Sequence, residues 1–173
     1  MWIARGASGQ QTAKAFRDAP PPVVKVTFPE VEQAAVDKAR AAQSGLVQQL
    51  QKRYPGVIQY ESRISAQIEV NASLLGGSFG DADLERLVPV ADQIVLADLS
   101  GTAVTDSSVE VLLGMKNLRA LRLNDVHVND ATILALRSLH ALRSLTIVGT
   151  SVNADSLAAL RTTGVHVYDG NDG

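Results

Sequence analysis

The sequence predicts an α/β fold: a short solenoid with parallel strands on its concave face and helices on its convex face, closed at its N-terminal end by a helix. Three observations support this prediction: an apolar pattern that recurs with a fixed period, a polar column at the start of each predicted helix, and a different apolar pattern upstream. A fixed period in the twenties is typical of a solenoid, because each strand-helix unit buries its apolar face only against its neighbours.

The period holds over three copies of a seven-position pattern. The copies are Ile94, Ala97, Leu99, Thr102, Val104, Val109 and Leu112; Leu118, Leu121, Leu123, Val126, Val128, Ile133 and Leu136; and Leu142, Leu145, Ile147, Thr150, Val152, Leu157 and Leu160. Because the units repeat in one direction, their strands are expected to be parallel neighbours. The predicted strands are 95–99, 119–123 and 143–147, and the predicted helices are 106–113, 130–138 and 154–161.

Each predicted helix begins at a residue that can cap it. Thr105, Asn129 and Asn153 occupy one column, and their side-chain oxygens can accept hydrogen bonds from amides of the first helical turn. Asp106 and Asp130 follow, where negative charge favours the positive end of the helix dipole. We interpret these residues as determinants of the fold and not as a site.

The first repeat is predicted to be irregular. Within residues 80–87, Leu84 and Leu87 match Val109 and Leu112, but at a separation one residue longer than the period of the later repeats. One residue inserted in a glycine-rich turn explains the difference.

The segment upstream of the repeats has a different pattern. Residues 1–28 contain Pro20, Pro21 and Pro22 and no periodic apolar stripe, which indicates an extended linker or tail. The domain then covers residues 29–173, with a helical cap at about 29–78 and repeats at about 79–168. A helix is predicted over 32–53 from a stripe at spacings of three and four. The residues of that stripe are Ala35, Ala39, Ala42, Leu46, Leu50 and Tyr54.

Alternating residues after the helix predict strands. Ile58 and Tyr60, and then every second residue from Ile64 to Leu74, are apolar. Because one strand of this length would be unusual, two short strands with a bend near 62–65 are expected.

The segment Thr102–Asp106, with Leu99, Val109 and Leu112, resembles the T-x-V-T-D-x-x-L form of bacterial leucine-rich repeats, which are relatives of the ribonuclease-inhibitor-like horseshoes. The resemblance covers about 79–161. It implies a leucine-rich repeat solenoid.

The rest of the chain has a fainter resemblance. Trp2–Ala7 looks like the end of the last helix in planctomycete-type cytochrome c modules, and Tyr54–Val57 and Val70–Gly76 are similar to the region downstream of such modules. This implies the C-terminal part of a larger membrane or periplasmic protein. Covalent haem attachment needs C-x-x-C-H, however, and the chain contains no cysteine. No cofactor is therefore expected on these residues. An in-frame C-x-x-C-H upstream of Met1 would identify the chain as a fragment of a haem protein.

The composition limits the classes of partner. The formal net charge of −2 favours neither nucleic acid nor an anionic membrane. No apolar run approaches the roughly 20 residues that span a bilayer, so direct membrane insertion is not expected. Residues 1–11 contain no apolar signal segment, so no export signal is expected in the chain as it stands, and the compartment is not determined.

One catalytic motif occurs. Residues 76–80 read G-x-S-x-G around Ser78, which is the pattern of a hydrolase nucleophile elbow. The repeat alignment makes this segment an ordinary loop, and a solenoid would keep His140 and His166 in other repeats. A hydrolase using Ser78 is an alternative that we do not favour, and the chain is not expected to be an enzyme.

Two columns of the concave sheet are the candidate binding surface. One column is Asp98, Arg122, Thr146 and His166, and the other is Ser100, Asn124, Val148 and Tyr168. Asp98 and Arg122 are expected to form a cross-strand ion pair. A mixed polar, charged and aromatic surface suits a protein or peptide better than a small molecule, which prefers a deep apolar pocket.

The sequence therefore predicts a non-catalytic interaction or scaffolding module that binds a protein partner or a second copy of the chain. A structural subunit that stacks end to end is the other alternative. Residues 165–168 alternate and predict a last strand beside 143–147. The outer edge of that strand is expected to pair with a second copy or a partner domain, because exposed edges invite pairing.

Overall fold

The computed structural model of the chain describes residues 30–170; the predicted tail over residues 1–28 lies outside them. The α-helices are α1 (Glu30–Arg53), α2 (Asp81–Glu85), α3 (Val109–Gly114), α4 (Asp130–Ala135) and α5 (Ala154–Arg161). The strands are β1 (Ile58–Tyr60), β2 (Ile68–Asn71), β3 (Ile94–Asp98), β4 (Ala120–Arg122), β5 (Ser144–Thr146) and β6 (His166–Tyr168). Short 3-10 turns cover Ala72–Leu74, Gly76–Ser78, Val88–Gln93, Asp106–Ser108 and Leu136–Ser138.

The fold is mixed α/β, with a six-stranded sheet in the order β1-β2-β3-β4-β5-β6. Strand β1 is antiparallel to β2, and every later pair is parallel. Ala97 pairs with Leu121 and Leu121 with Leu145, so these partners occupy the same position in consecutive copies of the sequence pattern. The predicted parallel strands are confirmed within one residue at each end, as is the last strand beside 143–147. The predicted helices are confirmed within one residue when the 3-10 turns Asp106–Ser108 and Leu136–Ser138 are counted with α3 and α4.

The core lies between one face of the sheet and the helices. Apolar residues at equivalent positions of β3 to β6 are buried, namely Ala97, Leu121, Leu145 and Val167. They share one cluster with the buried helix-side residues Leu84, Leu112, Leu136 and Leu160. Alternation along each strand therefore directs one set of side chains into the core and the other set to the opposite face.

Helix α1 is confirmed, but its buried stripe differs from the predicted one. The predicted residues Ala35, Ala39 and Ala42 are exposed. The buried residues are Val47 and Leu50 in α1 and Tyr54 directly after it, so the last two residues of the predicted stripe are confirmed. Among the side chains of α1 that the structure describes, the buried ones lie in the C-terminal half, so the alanine spacing was wrong as a sign of burial.

Long polar side chains connect the middle of α1 to the loop between β1 and β2. Arg40 Nε donates to the Ser65 carbonyl at 2.9 Å, and Gln43 Nε2 donates to the Ala66 carbonyl at 2.9 Å. The Arg40 guanidinium also lies 4.3 Å from the centre of the Tyr60 ring. These contacts place the helix beside β1.

The two predicted strands after α1 form a hairpin. Ile58 pairs with Val70 and Tyr60 with Ile68. The second strand ends at Asn71, earlier than the alternating pattern suggested, because Ala72–Leu74 forms a 3-10 turn. Leu74 is consequently 63% exposed.

The turn after each of β3, β4 and β5 contains a residue with positive φ. These residues are Gly101 (66°), Asp125 (53°) and Gly149 (71°). Asp tolerates this left-handed conformation better than most residues that have a Cβ. The Asp125 side chain lies over Gly149, where an added Cβ would collide with Oδ1.

Candidate protein-binding surface

The face of the sheet opposite the core presents two rows of side chains, ordered by the strand register. Row 1 consists of Glu69, Leu96, Ala120, Ser144 and His166. Row 2 consists of Asn71, Asp98, Arg122, Thr146 and Tyr168. Row 2 therefore contains Asp98, Arg122 and Thr146 of the first predicted column. It also contains Asn71 of the hairpin strand β2, which was not predicted.

The predicted positions of the last two column members are wrong. Tyr168 pairs with Thr146 and His166 pairs with Ser144, so Tyr168 belongs to row 2 and His166 to row 1. Tyr168 and its partner Thr146 are two residues closer in the sequence than the repeat period predicts. The reason is that the segment from the start of α5 to the start of β6 is two residues shorter than the segment from α4 to β5.

The predicted ion pair in row 2 is confirmed. Arg122 Nη1 lies 3.3 Å from Asp98 Oδ2, and the Ser100 amide donates to Asp98 Oδ1 at 3.1 Å. The two side chains differ in exposure, because Asp98 is 12% exposed and Arg122 is 54% exposed. Arg122 is thus the member of the pair that a partner would contact.

The second predicted column is divided between structural and accessible residues. Asn124 Oδ1 accepts a hydrogen bond from the Val148 amide at 2.9 Å, so this side chain stabilises the neighbouring turn. The Ser100 hydroxyl oxygen is buried and has no hydrogen-bond partner among the described residues. Val148 is exposed.

A cavity at the hairpin end of the two rows was not predicted. It has a volume of about 270 Å³ and is lined in part by Gln59, Glu69, Leu74, Leu96, Asp98 and Arg122; we call it the hairpin groove. Glu69 and Leu74 escaped prediction because β2 has no counterpart in the repeated pattern. Only the pairing of β2 with β3, which contains a register shift after Ile68, places Glu69 beside Leu96.

Ser78 is placed in a structural role. Its hydroxyl donates to the Leu75 carbonyl at 2.7 Å within the Gly76–Ser78 turn. The proton that a catalytic base would have to remove is therefore directed to the backbone.

Among the described side chains, which are those of residues 33–170, no group of three or more His, Asp or Glu could hold a metal ion. Arg119 pairs with Glu61, and Arg161 pairs with Asp169 at 3.1 Å. Arg143 donates to the His140 carbonyl at 2.8 Å.

The predicted helix caps are confirmed. Thr105 accepts a hydrogen bond from the Ser107 amide, Asn129 from the Ala131 and Thr132 amides, and Asn153 from the Ser156 amide.

A second function of the helix starts was missed. Asp81, Asp106 and Asp130 each accept the backbone amide of the cap residue in the next unit, at 2.8, 2.9 and 2.9 Å. Asp81 also accepts from the hydroxyls of Thr105 and Ser108. The spacing Asp-x-Ser/Thr, which occurs at 106–108 and 130–132, was the available signal. The sequence does not show, however, that each Ser or Thr hydroxyl donates to the aspartate of the preceding unit.

The groups whose pKa is shifted lie at these structural contacts. Burial opposes the charge of Asp81, but the hydrogen bonds from Ser108 and Thr105 outweigh it, so its pKa lies below the ordinary value of 3.8. The hydrogen bond from Tyr54, at 2.7 Å, is the main reason that the pKa of Asp83 is lowered, against the effect of burial. Burial is the main reason that the pKa of Tyr54 is raised. Shifted pKa values often mark active sites, but these groups join elements of the fold.

Neither the models of known protein families nor the curated proteins match this chain. Within residues 30–170, no helix combines the length and the apolar character that a bilayer crossing requires.

Proposed function

We propose that the chain is a leucine-rich repeat solenoid of the bacterial type that acts as a non-catalytic interaction or scaffolding module for a protein partner. The observation that carries the proposal is row 2, in which side chains from five neighbouring strands face away from the core. With strands about 4.8 Å apart, the row extends over about 19 Å. This length accommodates a segment of a protein better than a compact metabolite.

The chemistry of the surface also favours a protein. Arg122 is half exposed, Tyr168 is 45% exposed, and Thr146 between them is half-buried. Arginine and tyrosine are enriched where proteins bind each other, since both combine a large contact area with hydrogen-bond donors. Val148, at 37% exposure, adds an apolar contact beside the row.

By the fainter resemblance, the module would be the C-terminal part of a larger cytochrome-type membrane or periplasmic protein. The genomic sequence upstream of Met1 tests this part of the proposal. An in-frame C-x-x-C-H would support it, and unrelated upstream sequence would contradict it.

A peptide library displayed on phage tests the binding surface without a known partner. Selected peptides should protect the backbone amides of β3 to β6 from hydrogen exchange, and Arg122→Glu and Tyr168→Ala should each weaken their binding by about tenfold. Arg137→Glu is the matched control, because Arg137 is exposed on the helical side. The melting temperature should stay nearly unchanged in Tyr168→Ala and Arg137→Glu, and it should fall in Arg122→Glu, which places a second carboxylate beside Asp98.

Selected peptides that protect only the helices would contradict the proposal. Binding that is unaffected by both Arg122→Glu and Tyr168→Ala would exclude row 2 as the binding surface.

A further inference from the structure

We infer that the hairpin groove receives a lysine or arginine side chain of the protein partner and that the Glu69 carboxylate binds its charge. This inference rests on the proposed function and specifies one residue that the partner presents to the surface. Three features of the groove carry it: an uncompensated charge, an aliphatic wall and a suitable size.

The groove contains two carboxylates, and only one of them is neutralised. Asp98 forms its ion pair with Arg122. Among the described side chains of residues 33–170, none forms an ion pair or a hydrogen bond with the Glu69 carboxylate. Its register neighbours are Gln59 and Leu96, which are uncharged. The groove therefore carries one uncompensated negative charge beside an apolar side chain.

The walls of the groove suit the stem of a long basic side chain. Leu74 is largely exposed on one wall, and Leu96 is half-buried beside Glu69. Lysine and arginine pack their methylene groups on apolar surface while the charged end reaches a polar partner. Burying an apolar partner residue here would desolvate Glu69 without compensation, and an acidic residue would be repelled by it.

The size of the groove is sufficient for one long side chain. Its volume of about 270 Å³ lies below the range of about 300 to 1,000 Å³ that is typical of small-molecule sites. It is also continuous with row 2, because Asp98 and Arg122 line both. A peptide lying along row 2 can therefore insert a basic residue into the groove.

The test is an NMR titration of the ¹⁵N-labelled chain with two amino acids whose backbone groups are blocked. They are Nα-acetyl-lysine methylamide, which keeps its charged side chain, and Nα-acetyl-norleucine methylamide. The norleucine derivative has the aliphatic stem without the charge. We expect saturable shifts at the amides of 69–74 and 96–98, with the lysine derivative binding about fivefold more tightly, which is the range of one partly exposed charge pair. Glu69→Gln should remove that preference.

Glu110→Gln is the matched control, because Glu110 is exposed on α3 and lies outside the groove. It should leave the preference for lysine unchanged. Equal affinities for the two derivatives, or a lysine preference that survives Glu69→Gln, would overturn the inference.

The outcome is distinguishable from failure of the proposed function. Library peptides that protect row 2 but bind Glu69→Gln normally would contradict only the basic anchor. Library peptides that avoid the sheet would contradict the proposed function itself.

Discussion

At the scale of single residues, the aspartates at the helix starts contribute more than a favourable charge at the helix dipole. Asp81 accepts three hydrogen bonds from the following unit, through its contacts with Thr105 and Ser108. Asp155 also lies in the first turn of a helix, but it is exposed and has no contact of this kind within the described residues. Comparing the stabilities of variants at Asp81 and at Asp155 therefore separates the effect of contacts between units from the effect of the helix dipole.

Asp81→Ala should lower the free energy of unfolding by about 1 to 3 kcal/mol, because the Thr105 amide and the Ser108 hydroxyl lose their acceptor. Asp155→Ala should lower it by less than about 1 kcal/mol, which is the typical dipole effect. Urea titration at pH 7 measures both values. Equal losses would show that the contacts between units add nothing.

The effect of Asp81 should depend on pH. Its pKa in the folded chain lies below the ordinary value of 3.8, so its charged form stabilises the fold above that pH, and this contribution is lost as the pH falls through the folded-state pKa. The difference in stability between the native chain and Asp81→Ala should therefore become smaller below pH 3.8. Urea titrations between pH 7 and pH 3 measure it. A difference that is constant over this range would contradict the assigned pKa direction.

The left-handed turns provide a second residue-scale prediction. Gly101→Ala should lower the free energy of unfolding by about 1 to 2 kcal/mol, since φ is positive there but no atom lies near the new Cβ. Gly149→Ala should cost more, because its Cβ also meets the Asp125 carboxylate. Combining Gly149→Ala with Asp125→Gly should bring the cost back to that of Gly101→Ala. If the double variant is as unstable as Gly149→Ala, the Asp125 contact is not the cause.

At the scale of elements, the strands owe their stability to the side chains that they bury. Strands β4, β5 and β6 have three residues each, and a short ladder alone is marginal. Leu121 lies in the middle of β4, is 1% exposed and pairs on either side with buried residues of β3 and β5. Packing against the helices therefore holds these strands in place.

Leu121→Ala should lower the free energy of unfolding by about 2 to 5 kcal/mol, because it creates a cavity that the neighbouring strands cannot close. Leu134→Ala is the control, since Leu134 is 42% exposed on α4, and it should cost less than about 1 kcal/mol. Denaturant titration of both variants gives the comparison. A loss below about half a kilocalorie for Leu121→Ala would contradict its central position.

At the scale of the whole molecule, the described sheet has two outer strands, β1 and β6. In each of them, one backbone carbonyl accepts a hydrogen bond from a side chain. Gln51 Nε2 donates to the Ile58 carbonyl of β1 at 3.2 Å. Arg161 Nη2 donates to the Val167 carbonyl of β6 at 3.2 Å. Such contacts reduce the tendency of an edge to pair with another chain. A second copy that paired with β6 would have to displace Arg161.

Arg161→Ala should therefore increase self-association, because it leaves the Val167 carbonyl unpaired at the edge of β6. Arg137→Ala is the control, as it removes an exposed arginine away from the sheet edge. Light scattering over a wide concentration range measures the mean mass of the native chain and of both variants. A monomer mass for all three proteins at every concentration would exclude pairing at this edge, and with it the end-to-end stacking that the sequence suggested as an alternative.

The candidate binding surface shows how far prediction from the sequence extends. Arg122 beside Asp98 followed directly from the repeat period, because paired strands repeat the period in their register. Tyr168 was assigned to the wrong column, because the last connection is two residues shorter and no further copy reveals the change. Glu69 was not identified, since its neighbours depend on how a non-repeating hairpin packs on β3.

The sequence by itself determined the mixed α/β class, the parallel order of the later strands and the capped helix starts. These features depend on local alternation, on side chains near their own backbone and on a period that is repeated along the chain. Only the tertiary structure decided which face of α1 is buried, which donors Asp81 binds and where the hairpin groove lies. The physical reason is that these features depend on the distances between segments far apart in the chain, and neither alternation nor residue spacing specifies those distances.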